Sequence, residues 1–387
     1  LSFLALFTMV LGYTPLSDST LSQLPSPGND FDINTGAILA PILIPRVPGT
    51  EGIVKVRQHF IDWFTTNLPA WNIELHNSTS KTPLSGNEEV PFVNLIISRD
   101  PPWAAKGDVA RLTLVAHYDS KIDPPGFIGA TDSAAPCAML LHTARSIDAA
   151  LTQKWGAMTA AGQLPEIGTD KGVQILLLDG EEAFVNWSDS DSLYGARALA
   201  EDMAKDFNLP MSTYRTSISS ISLFVLLDLL GEADPTVPSY WKTTHWAYRK
   251  MAEAEERLRK LPGVLKSKPR RPFLHQKDKQ DDSWMGMYMQ DDHVPFVKRG
   301  VEVLHLIPSP FPKVWHTPLD DGAHLDPDTV TDWATIVTAF TAEWMELEGY
   351  LPGGTMPMPA GTETSTVPAA ATSKVQKNGA GRRRSEL

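Results

Sequence analysis

The chain contains one cysteine, Cys137, so no internal disulfide can form and the bridged framework that staples many secreted folds is absent. Positive charge is also scarce: 34 lysines and arginines face 46 aspartates and glutamates, for a formal net charge of -12. Basic residues cluster only in KSKPRRP (266–272) and in the terminal GRRR. Such a balance gives no footing for polyphosphate binding, and nucleic acid is not an expected partner. No internal repeat is visible. The apolar stretch LSFLALFTMVLGY at residues 1–13 is too short to span a bilayer comfortably and reads as a signal-peptide core or a clipped signal-anchor. It is set outside the fold as a segment of residues 1–17. It suggests a secretory or secreted protein, or a form held at a membrane through this segment. Two sequons, at Asn77 in a loop-like context and at Asn186, are compatible with a secreted glycoprotein. The missing disulfide framework weighs mildly against that route.

What is present suffices for a large core: 387 residues, 42% of them hydrophobic, fit one large α/β domain or two smaller ones. RVPGTEGIVKVRQHFIDWFTTNL carries Ile53, Val56, Phe60, Trp63 and Phe64 at helical spacing behind a turn signal. Four strand-like runs follow, RLTLVAHYDS, VQILLLDGEE, SLFVLLDLLG and VEVLHLIPSP. Helical patterns such as SAAPCAMLLHTARSIDAAL and SLYGARALAEDMAKDF separate them. That alternation predicts a doubly wound, mostly parallel twisted sheet flanked by helices. A last helix is signalled by Asp326 as N-cap, Pro327 at its first position, and Val330, Trp333, Val337, Phe340 and Trp344 on one face. The expected organisation is a single domain over residues 18–350, then a tail over 351–387 whose Gly, Pro, Ala, Thr and Ser cannot bury enough apolar surface to order it.

The run VQILLLDGEE leads from a strand that can only be buried straight into Asp179, Glu181 and Glu182. Taken alone, this reads as a cap at Asp179 with solvated glutamates in the first turn of the next helix. The other strand-like runs alter that reading, because each ends in, or leads to, a metal-competent side chain. His117 and Asp119 lie two apart at the end of the first, and Asp132 follows in GATDSAAPCAM at a helix N-cap, behind the glycine that a tight approach needs. Asp228 ends the third, buried among aliphatics where a carboxylate needs a partner or a metal, and His316 follows the fourth. Imidazole plus carboxylate is the donor set zinc uses at catalytic sites. With two adjacent glutamates, Glu182 can bind the metal while Glu181 moves the proton.

HYDSK, GATDSAAPCAMLL, LLDGEEAFVNWSDSDSLYGARALA, LLDLLG and DDHVPFVKRGVEVLHLIPSPFPKVWHT together resemble the blocks of glutaminyl-peptide cyclotransferases, the zinc-dependent glutaminyl cyclases of animals and fungi, over about residues 40–349. The parent superfamily, the co-catalytic zinc aminopeptidases, shares the order of the ligands but not the block around Trp315. The resemblance implies a single α/β domain of the zinc-aminopeptidase, phosphorylase/hydrolase-like kind. It implies one zinc per chain on Asp132, Glu182 and His316, with Glu181 as catalytic acid and base, Asp228 orienting the scissile amide, and Asp291 hydrogen-bonding in turn. Trp187, His305, Phe311 and Trp315 match the substrate pocket. In the animal pattern a cysteine before HYDS pairs with the one in PCAM; here that position is Ala116, which leaves Cys137 a free thiol.

The implied reaction is attack of an N-terminal glutamine's α-amine on its own γ-carboxamide, giving pyroglutamate and ammonia. Peptides or proteins beginning with glutamine or glutamate are the implied partners, and a monomer is the expected assembly. The rival is an aminopeptidase with two zincs, since His117 and Asp228 could complete a second metal site.

Overall fold

The computed structural model describes residues 13–162, 170–280, 282–286 and 288–354. Residues 1–12 of the expected leader and 355–387 of the expected tail lie outside that range. The packing begins before residue 18, where the sequence put the domain's start: Leu16 is buried in the core and the Tyr13 hydroxyl donates to Glu343 at 2.5 Å.

Six strands form one mixed sheet: β1 (Asn72–Ser80), β2 (Val90–Arg99), β3 (Val109–His117), β4 (Asp170–Leu178), β5 (Ile221–Leu227) and β6 (Val303–Leu306), in the order β1-β2-β4-β3-β5-β6. The four runs expected as strands are β3 to β6, and β4-β3-β5-β6 pair in parallel. The antiparallel β1 and β2, which extend the sheet beyond β4, are additions to the expected set.

The strands read as continuous apolar runs because helices cover both faces. On β4, Val173, Ile175 and Leu177 enter the larger core, while Leu176 and Leu178 enter a second core on the opposite face. The same alternation splits Leu223, Val225 and Leu227 from Phe224 and Leu226 on β5. The helical segments are α1 (Asp18–Leu21), α2 (Glu51–Asn67), α3 (Ala135–Ala160), α4 (Tyr194–Lys205), α5 (His245–Lys260), α6 (Val294–Val297) and α7 (Pro327–Trp344). Residues of α2, α3, α5 and α7 fill the larger core, and those of α4 and α6 the smaller one. Asp326 caps α7 as expected, accepting from the Thr329 amide at 2.7 Å. Because strand polarity is shared from β4 through β6, the segments leaving β3, β4, β5 and β6 emerge at one end of the sheet, where open α/β folds place ligand sites.

Candidate active site

Two of the expected caps are not caps. α3 starts at Ala135, with Ala134 as its N-cap and no side-chain bond there, whereas Asp132 sits upstream in a kinked stretch at φ -117° and ψ 75°. Its Oδ1 instead lies 2.9 Å from His117 Nε2. Gly129, at φ 62°, allows the tight approach, since a Cβ there would meet the Asp132 carbonyl oxygen at 2.1 Å. Asp179 caps no helix either: its Oδ2 accepts the Val93 amide at 2.8 Å and its own amide donates to Asn94 Oδ1 at 2.9 Å, tying the end of β4 to β2. Glu181 and Glu182 are not solvated; they are 6% and 3% exposed.

Asp119 explains how the glutamate pair is held. Its two carboxylate oxygens accept the amides of Glu181 and Glu182, each at 3.1 Å, so the last residues of the β3 run fix the turn after β4. Gly180 makes that turn at φ 76°, where a Cβ would strike the Phe92 ring at 2.3 Å.

Asp132, Glu182 and His316 bring one donor atom each within 4.8 Å of one another. His316 Nε2 stands 3.4 Å from Asp132 Oδ2 and 3.5 Å from Glu182 Oε1. Both carboxylate oxygens are buried without a hydrogen-bond partner among the described residues, a costly state unless something charged sits between them. Donors bound about 2.0–2.1 Å from a tetrahedral ion are separated by roughly 3.4 Å, so the set fits a zinc-like cation. His316 itself takes φ 53°, a left-handed conformation that a non-glycine residue adopts only when its surroundings enforce it. Burial lowers the His316 pKa, but the facing Asp132 and Glu182 outweigh it and hold the imidazole at about 9.

His117 is enclosed by carboxylates, with Nδ1 3.4 Å from Asp119 and Nε2 3.3 Å from Asp228 in addition to Asp132. Burial disfavours its charge, yet the facing carboxylates of Asp119, Asp132 and Asp228 raise its pKa well above the ordinary value. Asp228 Oδ1 accepts from the Leu229 amide at 2.8 Å and from the Ser133 hydroxyl. Glu181 is driven well above the usual carboxyl range, first by burial and then by Glu182, Asp291 and Asp292, against the pull of His117.

Asp132, Glu181, Glu182, Asp228 and His316 line a cavity of about 610 Å³ that also includes Trp187, Phe311 and Trp315. Trp315 stacks on the His316 ring at 3.9 Å and meets Phe311 edge-on at 4.9 Å. Trp187, 40% exposed, stands at the rim and donates to Gln290 at 3.0 Å. Asp291 and His305 are not in the lining. They sit behind it, both about 1% exposed, with His305 Nε2 2.7 Å from Asp291 Oδ2. Burial pushes both toward their neutral forms, so their contact is a hydrogen bond within the wall. His305 was expected among the pocket residues; its place inside β6 points it into the protein. Lys121, whose Nζ lies 3.6 Å from Glu182 Oε2, together with Ile307 and Gln290, joins the lining without having been singled out in the sequence. Lys121 was legible, directly following HYDS; the other two become neighbours only through folding. Asn186, the second sequon, is exposed at the cavity rim, and Asn77 is exposed on β1, a strand and not a loop.

Residues 102–341 match peptidase family M28. The chain is 40% identical over 316 residues to the glutaminyl-peptide cyclotransferase-like protein of Mus musculus, covering 81% of this chain and 75% of that protein. It is 38% identical over 314 residues to the glutaminyl-peptide cyclotransferase of Gloydius blomhoffii, covering 80% of each. The crystal structure of Macrostomum lignano glutaminyl cyclase superposes with a TM-score of 0.70 at 28% identity, covering 87% of this chain and 95% of that one.

Proposed function

From a chain that belongs to peptidase family M28 and, within it, to the glutaminyl-peptide cyclotransferases, we infer an enzyme that closes the N-terminal glutamine of peptides into pyroglutamate with release of ammonia. The observation that carries this reading is the proximity of the donor set Asp132, Glu182 and His316 to the buried, unligated Glu181 in a cavity walled by Trp187, Phe311 and Trp315.

The reacting amine and carboxamide share one residue, so binding has little proximity left to supply. One zinc ion per chain is the proposed cofactor. Held by Asp132, Glu182 and His316, it would supply Lewis-acid polarisation of the γ-carbonyl. Glu181 takes the proton of the attacking α-amine and delivers it to the departing nitrogen; a carboxyl whose burial raises its pKa can serve in both directions near neutrality. The new bond joins the α-nitrogen to the γ-carbonyl carbon, and the bond to the amide nitrogen breaks as ammonia leaves. Asp228, with Oδ1 engaged by Ser133 and Leu229, keeps Oδ2 to accept from the amide and orient it. Asp291 acts from behind the wall through its bond with His305. The aromatic side chains enclose the glutamine, while later residues of the peptide remain outside.

The two-zinc aminopeptidase reading needs His117 as a neutral ligand. His117, Asp132 and Asp228 also bring donor atoms within 4.8 Å of one another, so what favours cyclisation is the likeness to glutaminyl-peptide cyclotransferases. Ammonia release from a Gln-initiated dipeptide, without free amino acid from a Leu-initiated one, tests the cyclase reading; the reverse pattern overturns it.

The apolar start of the sequence and the exposed Asn77 support passage through the secretory pathway. A mobility shift on glycosidase treatment of the protein from its natural host tests that route. A monomer is the proposed assembly, tested by its mass in solution.

A further inference from the structure

The end of the sheet opposite the cavity carries a group of strongly exposed apolar side chains. In the loop after α4, Phe207, Leu209 and Met211 are 61%, 79% and 98% exposed. The loop is well tied: the Asn208 amide donates to the Arg215 carbonyl at 3.0 Å, the Tyr214 amide to the Gly107 carbonyl at 2.9 Å, and the Thr213 amide to Asp108 Oδ1 at 2.7 Å. Met211 adopts φ 77°, which a non-glycine residue keeps only when held there. The bonds to Gly107 and Asp108 place the loop beside the first residue of β3, at the other end of that strand from His117.

A second apolar feature shares this end. Trp246, 45% exposed, stacks on Trp344 at 5.8 Å, and a chain of rings continues through Phe340 to Tyr13 at 6.0 and 5.8 Å. Lys250 Nζ lies 5.7 Å over the Tyr13 ring. Thr244 Oγ1 donates to the carbonyl of Val303, at the start of β6, and Lys171 Nζ donates to the Trp344 carbonyl at 3.1 Å from the start of β4. Directly upstream of Tyr13 in the sequence stands LSFLALFTMVLG, without a charged residue.

Half-exposed tryptophan and tyrosine with a lysine beside them, next to fully exposed aliphatic side chains, is the composition that settles at a membrane–water boundary. We propose that this end of the domain rests on a neutral lipid surface, with Leu209 and Met211 entering the acyl boundary and Trp246 and Trp344 at headgroup level. The net charge of -12 selects a zwitterionic surface over an anionic one. The catalytic cavity then faces away from the lipid, open to soluble peptides. A second copy of the chain is the competing occupant of the patch.

The test uses the full chain carrying Cys137→Ala, a polarity-sensitive fluorophore on Met211→Cys or, separately, on Leu319→Cys beside the cavity, and phosphatidylcholine vesicles. Leu319 is 53% exposed and so also open to label. The expected result is a blue shift on adding vesicles for the label at 211 and none at 319. The double variant Leu209→Asp/Met211→Asp should sediment with vesicles roughly tenfold more weakly. An unshifted label at 211 on a chain that still sediments with vesicles would assign the binding to residues 1–12 alone and overturn the proposal. So would failure to sediment at all, or a shift that needs no vesicles and grows with protein concentration, which would make the patch a contact between copies.

Discussion

Nε2 of His316 and Oε1 of Glu182 stand 3.5 Å apart, too far for a strong hydrogen bond and near the separation of two ligands on one small cation. The neighbouring Glu181 has no part in that donor set. The two adjacent glutamates should therefore separate on mutation. Glu182→Gln is expected to weaken metal binding by roughly 10- to 100-fold. Glu181→Gln should keep the metal and lose about 10²- to 10⁴-fold in turnover. Metal content by atomic absorption beside kcat for each variant checks the split, and loss of metal from Glu181→Gln with activity retained would reverse the assignment.

The ordering of those glutamates was only half legible in the sequence. The pair stood out because carboxylates follow an apolar strand, and Asp228 because LFVLLDLL leaves its charge no solvent. That Asp119 holds both glutamate amides could not be read, since the contacts span 62 and 63 residues and depend on β3 lying beside β4. β1 escaped notice because it lies at the sheet's outer edge with polar, mostly exposed side chains, so no apolar alternation marks it. α5 was hidden by its charge: HWAYRKMAEAEERLRK buries only a narrow stripe including Tyr248, Met251 and Leu258. The resemblance in the HLIPSPFPKVWHT block placed Trp315 and His316 at the cavity. It placed His305 there too, although its strand position turns it into the wall.

Asp119 gives the second prediction. Asp119→Ala would leave two buried amides without an acceptor, a cost of about 1–3 kcal/mol for each unsatisfied group. A lower unfolding midpoint should be accompanied by weakened metal binding, because Glu182 loses the amide anchor that sets its position. Denaturant titration and metal content together check this. Unchanged values for both would mean that the turn is fixed without Asp119.

Metal binding should depend on pH in a defined direction. Without metal, Asp132 and Glu182 overcome burial and hold His316 protonated up to about 9. Loading a cation must expel that proton, so apparent affinity should rise with pH, by about tenfold per unit for one proton, and level off near 9. The metal-free fold shows the opposite trend. A histidine whose folded pKa is raised contributes stability that is complete below its unfolded value of about 6.5 and is lost as pH rises through about 9. A chelator-competition series across this window, with thermal melts of the metal-free protein, measures both slopes. Metal affinity independent of pH would contradict the picture.

Cys137 is fully buried, donates to the His117 carbonyl at 3.2 Å, and has its thiol pushed up to about 12, chiefly by burial. It should resist alkylation at pH 8 in the folded protein and react only on unfolding. Cys137→Ala should cost on the order of 1 kcal/mol and leave turnover nearly intact. Reductant should change neither stability nor rate. Rapid labelling of the native protein, or a large loss of activity in Cys137→Ala, would count against the burial described.

The central claim is that one metal ion held by Asp132, Glu182 and His316 serves cyclisation of N-terminal glutamine. Its most direct test is titration of the metal-depleted protein with zinc while ammonia release from a Gln-initiated dipeptide is followed. Activity should rise linearly and saturate at about one equivalent per chain. Saturation at two equivalents, with free amino acid appearing from a Leu-initiated dipeptide, would contradict the account and make His117 and Asp228 ligands of a second metal.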